Sequence, residues 1–311
     1  MPAEPVLKNF KNIQCRDAVL AYNGEPHPAR DEAGNVKTVW DRRSVKTDAV
    51  TGREVPDETK RVPLLTYANP RPATWPAADF IVGNPPFIGN KRMRENLGDG
   101  YSATLRAAYP DVPESADFVL YWWHKAAELV RTGKARRFGL ITTNSLRQTF
   151  NRPVVQSQLS AQPPISIVFA IPDHPWVDTE DGAAVRIAMT IGVAGKLNGE
   201  LLEVTDEEPQ SDGSEKVILR TQTGKITADI TVGAEVGSAV ELKANSLLSG
   251  QGVIVLGDGF ILSEEEKSQL LANEPRAKSL IKPYLNGQDI VQESRGFSII
   301  DLNGMAEDDV R

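Results

Sequence analysis

The chain has 311 residues, 40% hydrophobic and 25% charged, which is ordinary for a globular protein of one large domain or two smaller ones. Its net charge of −7 is the wrong sign for a protein that coats nucleic acid, and its single cysteine excludes an intramolecular disulfide and a Cys-based zinc site. The sequence has no apolar signal core near Met1 and no apolar run of membrane-spanning length, so we expect a cytoplasmic protein without membrane contact.

The first predicted element is a short apolar strand within residues 10–20 that ends at Asp17. Cys15 lies in this strand and is expected to be a small buried residue rather than a nucleophile. Residues 23–75 are polar and rich in Gly, Pro and charge, with several turn signals. They predict an inserted hairpin or excursion rather than a helix.

The most informative segment begins at Asp79, where an apolar run ends in Asn84-Pro85-Pro86-Phe87. Two consecutive prolines after a strand make a rigid, extended loop, because each fixes its φ angle and lacks an N–H. Such a loop would hold the Asn84 amide and nearby carbonyls in one orientation beside an aromatic face, which suits a planar amine. The alternative is a strand followed by a Pro-rich turn with an incidental Asn. The full tetrapeptide directly after a strand favours the functional interpretation.

A basic run, Lys91-Arg92-Met93-Arg94, begins four residues after Phe87. We interpret it as part of a loop that lines the same pocket. There Lys91, Arg92 and Arg94 would bind phosphates, a contact that is independent of base sequence. The alternative is a solvated loop without a ligand.

Apolar residues recur at helical spacing over 115–131, with Ser115 as a possible N-cap and Gly133 as the stop signal. The aromatic residues of this helix are expected in the core. His124 lies in the helix without a Cys or second His at ligand spacing, so we interpret it as a packed or surface histidine and predict no metal site.

Further strands are predicted at 137–144, which should be parallel and buried, and at 165–171 and 183–193, which should pair antiparallel. Alternation of strands and helices indicates a doubly wound α/β sheet. Ligands bind at the carboxyl ends of strands in such sheets, and Asp17, Asn84 and Thr143 are all placed there.

The character of the sequence changes near residue 200, where acidic and Gly- or Ser-rich turns separate short strands such as 216–221 and 225–232. We therefore divide the chain into a first region, 1–200, and a β-rich region, 201–311. Near its middle, Ser263 and Glu266 form a predicted capping box, which explains the strand–turn–helix there better than a dinucleotide-binding loop.

Asn84-Pro85-Pro86-Phe87 resembles motif IV of the S-adenosylmethionine-dependent DNA adenine-N6 methyltransferases. This resemblance implies that Asn84 and the Pro85 carbonyl hold the N6 amine of an adenine flipped out of double-stranded DNA, while Phe87 stacks on the base. It implies methyl transfer without a covalent enzyme intermediate.

Three further residues have roles only by this resemblance. Asp17 looks like motif III, near the adenine of the cofactor. Asp117 looks like motif V, which supplies part of the pocket between cofactor and target. Trp176, in the segment that corresponds to motif VIII, would contact the flipped base, or alternatively pack beneath a loop.

Most of the chain is similar to the MmeI-like (type IIL) restriction–modification methyltransferases. The segments GDGFILSEEE, IKPYLNGQDI and IIDLNGMAEDD resemble the region that joins catalysis to target recognition in that group. The implied fold is a partial doubly wound, Rossmann-like class I methyltransferase sheet with a β-rich C-terminal extension.

The sequence departs from this family in lacking a Phe-x-Gly-x-Gly loop, which should precede motif III and bind the methionine part of the cofactor. We therefore expect incomplete binding of S-adenosylmethionine and a fragment that lacks the N-terminal cofactor motif. Such a fragment is either a piece of a larger enzyme or one half of a split pair, in which a separate polypeptide supplies the cofactor-binding half. The alternatives are a non-catalytic remnant with a DNA- or partner-binding surface and, less favoured, a protein glutamine or RNA guanine methyltransferase.

Overall fold

The computed structural model describes residues 13–48, 52, 54–176, 185–209, 215–233, 242–243, 258–292 and 294–302. The chain divides into two compact units, Met1–Ala239 and Val240–Arg311. The division into 1–200 and 201–311 concerns function and stays a prediction.

The first unit begins with a β-ribbon, which confirms the excursion predicted for residues 23–75. Its long strands β1 (Leu20–Pro28) and β6 (Leu65–Pro72) pair antiparallel. Between them, β2 (Thr38–Trp40) pairs with β5 (Arg61–Pro63), and β3 (Val45–Thr47) pairs with β4 (Glu54–Pro56). The ribbon therefore folds back on itself through nested antiparallel pairs.

The central element is a six-stranded mixed sheet in the order β12-β11-β9-β10-β8-β7. Its strands are β7 (Phe80–Gly83), β8 (Arg137–Thr143), β9 (Ile165–Trp176), β10 (Val185–Ala194), β11 (Gly199–Pro209) and β12 (Glu215–Gly224). β7 runs parallel to β8, and β9 pairs antiparallel with β10, as the sequence predicts. With the helices around it, this sheet makes the unit a mixed α/β fold.

Among the described residues of this unit, four α-helices accompany the sheet: α1 (Asn90–Leu97), α2 (Asp99–Ala108), α3 (Val119–Arg131) and α4 (Arg152–Ser160). α3 provides the centre of the core, since Trp123 is fully buried and packs edge-on against Phe138 of β8 at a centroid distance of 5.4 Å. Its indole N–H donates to the Thr190 hydroxyl of β10 at 3.1 Å. The aromatic residues of α3 thus belong largely to the core, as predicted.

α3 begins at Val119, so the prediction of Ser115 as its N-cap is wrong. The reason is tertiary: the amide of Asp117 donates to Asn151, and that of Phe118 donates to the Ile88 carbonyl, both outside the helix. The helix ends as predicted near Gly133, whose φ of 74° favours glycine.

Three other predictions are also wrong. Residues 13–19 form no strand, and Cys15 is exposed rather than buried. Residues 225–232 form a tight loop closed by one bridge between Ile226 and Val232, because turns interrupt the alternation of apolar residues.

The second unit contains a small three-stranded sheet in the order β13-β15-β14. Its elements are β13 (Ile261–Leu262), α5 (Glu264–Asn273), β14 (Ile281–Pro283), α6 (Gly287–Val291) and β15 (Ser298–Ile300). The capping box predicted for Ser263 and Glu266 is present at the start of α5, which confirms the strand–turn–helix interpretation. Gly257, part of the rejected dinucleotide loop, lies outside the described residues.

Across the described residues, no helix combines the length and the apolar character that crossing a membrane requires.

Candidate active site

Asn84 directly follows β7, at the carboxyl end of the parallel pair β7–β8. Its side chain is exposed and lines a cavity of about 490 Å³ together with Pro85 and Pro86. The sequence predicts this location, because a polar residue after a buried parallel strand lies at the ligand-binding edge of the sheet.

Pro85 and Phe87 connect this loop to the core. Pro85 is buried, and Phe87 is half-buried and packs against the hydrophobic core cluster. Phe87 is not among the residues that line the cavity, and its packing against the core anchors the loop. Asn84 and Phe87 are consequently held in a fixed relationship, as a rigid binding loop requires.

Asp17 does not line this cavity and precedes β1 rather than ending a strand. Its Oδ1 accepts hydrogen bonds from the backbone amides of Val19 and Leu20 at 2.8 and 2.9 Å, which fixes the backbone at the start of β1. Its Oδ2 accepts from the Tyr101 hydroxyl at 2.6 Å. Burial and this hydrogen bond raise the pKa of Tyr101, so the tyrosine stays a donor. The Asp17 carboxylate is thereby engaged by the protein itself.

The other residues that line the cavity were not predicted as site residues from the sequence, and they include Arg16, Trp75 and Trp122. Arg16 donates to the Thr74 carbonyl at 2.9 Å, and the Trp75 indole donates to the Ala18 carbonyl, so residues 16–18 and 74–75 are tied together. Trp122 is half-buried and packs against Phe118 at 4.7 Å. The helical pattern could have predicted that Trp122 is partly exposed, because it lies on a different face of α3 from Trp123. No comparable pattern surrounds Trp75 in the sequence.

The basic run forms helix α1 rather than the predicted loop. Met93 is fully buried beneath it, while Lys91, Arg92 and Arg94 are exposed. The helix is explained by the spacing of Met93 and the half-buried Leu97, because residues four apart lie on the same face of a helix and both pack toward the core. α1 begins three residues after Phe87 and presents three exposed cations. They are not among the residues that line the cavity at Asn84, and Arg94 lines a separate cavity together with Arg42 and Asp99.

Two of these cations make long ion pairs. Arg92 lies 3.6 Å from Glu95, and Arg94 lies 3.7 Å from Asp99, whose carboxylate already accepts two hydrogen bonds from Arg42 at 2.9 and 3.0 Å. Among the described residues, Lys91 makes no ion pair. These exposed and weakly held cations are suited to binding an external anion.

Asp117 lies beside α1 rather than in the cavity lining. Its Oδ1 accepts from the amide of Asn90 at 2.8 Å, and its Oδ2 accepts from Ser145 and Asn151, each at 2.7 Å. Both carboxylate oxygens thus have protein donors.

Trp176 is the last residue of β9 and is 36% exposed. β10 and β8 separate β9 from β7, so β9 lies about 14 Å from β7 across the sheet, at roughly 4.8 Å per strand. The register also places Trp176 further along the strand direction than Asn84. The structure places both residues at the same end of the strands of the sheet but does not bring them into contact. The segment that follows, 177–184, lies outside the described residues.

A family model of the MmeI DNA-methyltransferase domain matches residues 9–203, well over half of the chain. The chain belongs to this family. The match includes the Asn84–Phe87 loop, α1, α3 and the strands up to β11. The resemblance noted from the sequence to an MmeI-like methyltransferase is thereby confirmed.

Two solved structures are similar to this MmeI-family domain. The first is the type IIL restriction–modification enzyme MmeI in complex with DNA, at 23% identity and a TM-score of 0.49, covering 75% of this chain and 30% of that one. The second is a modification subunit assigned to a type I restriction enzyme from Vibrio vulnificus YJ016, at 12% identity and a TM-score of 0.32, covering 75% and 37%. The chain therefore spans less than two fifths of either protein. No curated protein gives a significant match.

In the part of the chain that the structure describes, no cluster of His, Cys, Asp and Glu could hold a metal ion. His124 is buried in α3 and lies 3.4 Å from the Gln158 amide, which supports its interpretation as a packed histidine.

Proposed function

We propose that this MmeI-family domain is the target-base half of a DNA adenine-N6 methyltransferase that uses S-adenosylmethionine. The observation that carries the proposal is the position of Asn84, fixed between a parallel strand and two prolines at the mouth of a cavity with aromatic walls. This arrangement matches the requirement for holding a planar amine, and the family match supports methyl transfer as the reaction class.

In the proposed site, the Asn84 side-chain oxygen and the Pro85 carbonyl accept the two N6 hydrogens of adenine. Hydrogen bonds out of the base plane would draw the nitrogen lone pair from conjugation and direct it away from the ring. The exposed part of Phe87 would stack on the base. Adenine must leave the duplex to reach this site, since its amine is otherwise paired.

We propose that α1 binds the DNA backbone next to the flipped base. Lys91, Arg92 and Arg94 are exposed on a helix that starts three residues after Phe87. Phosphate contacts of this kind fix position on the duplex and carry no base specificity. Trp176, at the same end of the strands of the sheet, is proposed to contact the base or its neighbour from the opposite side.

The described residues fit only part of S-adenosylmethionine. Trp75 and Trp122 offer aromatic surfaces, but no acidic residue lines the described cavity, and Asp17 is engaged by Tyr101. A carboxylate is the usual partner of a ribose hydroxyl in nucleotide sites. Asp17 and Asp117 therefore have only indirect roles toward the cofactor.

We propose that the polypeptide segment that supplies the cofactor-binding half pairs with β7, whether it belongs to the same chain or to a separate one. This strand is at the edge of the sheet. The carbonyl of Asp79, just before β7, accepts hydrogen bonds from backbone amides at the start of β8. Because backbone groups alternate in direction along a strand, those of Phe80 and Val82 point away from β8. Their side chains are 59% and 85% exposed. An exposed apolar edge of this kind is a template for another strand. If the loop after the added strand is to lie beside Asn84, that strand must run parallel to β7, because both strands then end on the same side of the sheet.

A buried cation supports pairing at this edge. Lys125 of α3 is 7% exposed and lies over the Trp75 ring at 5.4 Å, in a cavity of about 530 Å³ that also includes Ile81 of β7. Burial lowers the pKa of Lys125, because the charged form loses hydration. Glu128 lines the same cavity, and its charge partly offsets this lowering of the pKa. A carboxylate from the docked polypeptide would add a second negative charge beside Lys125.

The proposal is tested with a duplex that carries 2-aminopurine at an adenine, a base whose fluorescence rises when it is unstacked. We expect the chain to raise the fluorescence and Asn84→Ala to lower this increase several-fold while it retains duplex binding. Asn198→Ala, in an exposed turn, is the matched control. Duplex binding without any difference between Asn84→Ala and the control would contradict the assignment of the pocket.

Calorimetry with S-adenosylmethionine tests the cofactor part separately. We expect weak or undetectable binding by the chain alone, because the described cavity lacks a carboxylate. Binding at micromolar concentration would show that this chain holds a complete cofactor site and would refute the need for a further polypeptide segment.

A further inference from the structure

Asp117 is a junction between elements that are distant in the sequence. Asn90, which donates to its Oδ1, is the first residue of α1. Ser145, which donates to Oδ2, lies in the 3-10 turn after β8, and Asn151, the second donor to Oδ2, precedes α4. The amide of Asp117 in turn donates to the Asn151 side-chain oxygen at 2.9 Å. One aspartate therefore joins α1 to the carboxyl end of the sheet.

This contact supplies what α1 lacks locally. The residue before the helix is Gly89, which has no side chain to accept from the first-turn amides. The Asp117 carboxylate accepts from the Asn90 amide instead, and it adds a negative charge at the positive end of the helix dipole. The neighbouring Phe118 amide donates to the Ile88 carbonyl at 2.9 Å. Residues 88–90 are thus fixed to residues 117–118 by two hydrogen bonds.

The network around Asp117 is closed and sheltered. Asn151 is 3% exposed, and its amide also lies 3.1 Å from both the Ser145 carbonyl and the Ser145 hydroxyl. The Ser145 hydroxyl lies 2.6 Å from the Thr143 hydroxyl at the end of β8. Three protein donors thus occupy most of the acceptor capacity of the Asp117 carboxylate.

We propose that Asp117 is a positioning residue that fixes α1 relative to the Asn84–Phe87 loop. The helix that binds phosphate and the loop that binds the base are then parts of one rigid unit. A phosphate bound to α1 therefore determines the position at which the flipped base reaches Asn84. This inference rests on the proposed DNA-binding function and adds to it the coupling between the two subsites. It replaces direct contact of Asp117 with the cofactor.

Asp117→Asn is the first test, because an amide keeps the size of the side chain but replaces one acceptor with a donor. Either orientation leaves an amide nitrogen facing Asn90 or facing Ser145 and Asn151. We expect hydrogen exchange at the start of α1 to accelerate about fivefold, the effect of losing one helix N-cap. We also expect weaker duplex binding with a shallower salt dependence, since a loosened helix holds its phosphates less well.

Ser145→Ala tests whether the effect passes through the network. It leaves the carboxylate and the Asn90 contact in place but removes one donor. If Asp117 is a positioning residue, Ser145→Ala should change hydrogen exchange in α1 and duplex binding in the same direction as Asp117→Asn, but by less. The variant with both substitutions should show a smaller effect than the sum of the two single effects. Asp111→Asn, in the exposed loop before α3, is the matched control, and thermal unfolding verifies that each variant is folded.

Two results would overturn the proposal. If Asp117→Asn loses duplex binding without faster exchange in α1, the carboxylate contacts the ligand directly. If exchange accelerates while the salt dependence and the 2-aminopurine signal stay unchanged, Asp117 only stabilises the fold. If the unaltered chain binds no duplex at all, the proposed function fails. The exchange measurements then still decide whether Asp117 holds α1.

Discussion

Replacing the three cations of α1 tests the proposed DNA contact quantitatively. In the variant Lys91→Ala/Arg92→Ala/Arg94→Ala, the helix should persist, because alanine has the highest helix propensity and the buried Met93 anchor is kept. The ion pairs that are lost are long, at 3.6 and 3.7 Å, and exposed, so they contribute little to stability. A change in DNA binding would therefore reflect lost phosphate contacts.

The expected size follows from counterion release. Each phosphate neutralised on duplex DNA contributes about −0.9 to the slope of log affinity against log salt concentration. Three contacts contribute about −2.7, which corresponds to a loss of roughly 40-fold in affinity between 50 and 200 mM salt. The triple variant should lose this contribution, and Lys91→Ala alone should lose about one third of it.

Fluorescence anisotropy with a labelled duplex over this salt range measures the slopes directly. Lys216→Ala is the control, since Lys216 is an exposed cation on β12, where it pairs with Glu208 at 3.1 Å. A triple variant that keeps the slope of the unaltered chain would show that α1 does not contact DNA. The proposal that the basic run binds phosphate would then be refuted.

Two further predictions concern the fold. Gly192→Ala should destabilise the protein by about 1–3 kcal/mol in denaturant unfolding, because a Cβ there would lie 2.1 Å from the Phe138 ring. Gly139→Ala, with its nearest atom at 3.7 Å, is the control, and equal stability of the two variants would contradict the packing. Burial lowers the pKa of His124, so the folded state binds fewer protons than the unfolded state and stability should fall as the pH drops below about 6.5. His124→Gln should reduce this dependence and exposed His27→Gln should not, as followed by thermal unfolding between pH 5 and 8.

The structure confirms the parts of the fold that depend on local patterns. The apolar stripe of α3, the alternating runs of β9 and β10 and the turn-rich ribbon of β1–β6 are all present. The start of α3 was misplaced because hydrogen bonds from Asp117 and Phe118 lead out of the helix, and no local pattern reveals such partners.

The candidate site could be predicted only where one segment builds it. Asn84 and Phe87 lie where their strand and prolines direct them. The resemblance to motif III assigns Asp17 to the cofactor, but the hydroxyl of Tyr101, 84 residues further on, donates to its carboxylate. Arg16 and Trp75 enter the cavity through contacts between distant segments, so their individual sequence contexts give no indication of it.

The sequence by itself determined a rigid Asn-Pro-Pro-Phe loop at the end of a parallel strand, since proline geometry and apolar patterning act over a few residues. Only the tertiary structure decided which charged groups are available around that loop. Asp17 and Asp117 are engaged by Tyr101, Asn90, Ser145 and Asn151, while Lys91, Arg92 and Arg94 remain exposed. The physical reason is that a carboxylate is occupied by whichever donors the packing of strands and helices brings within hydrogen-bond distance.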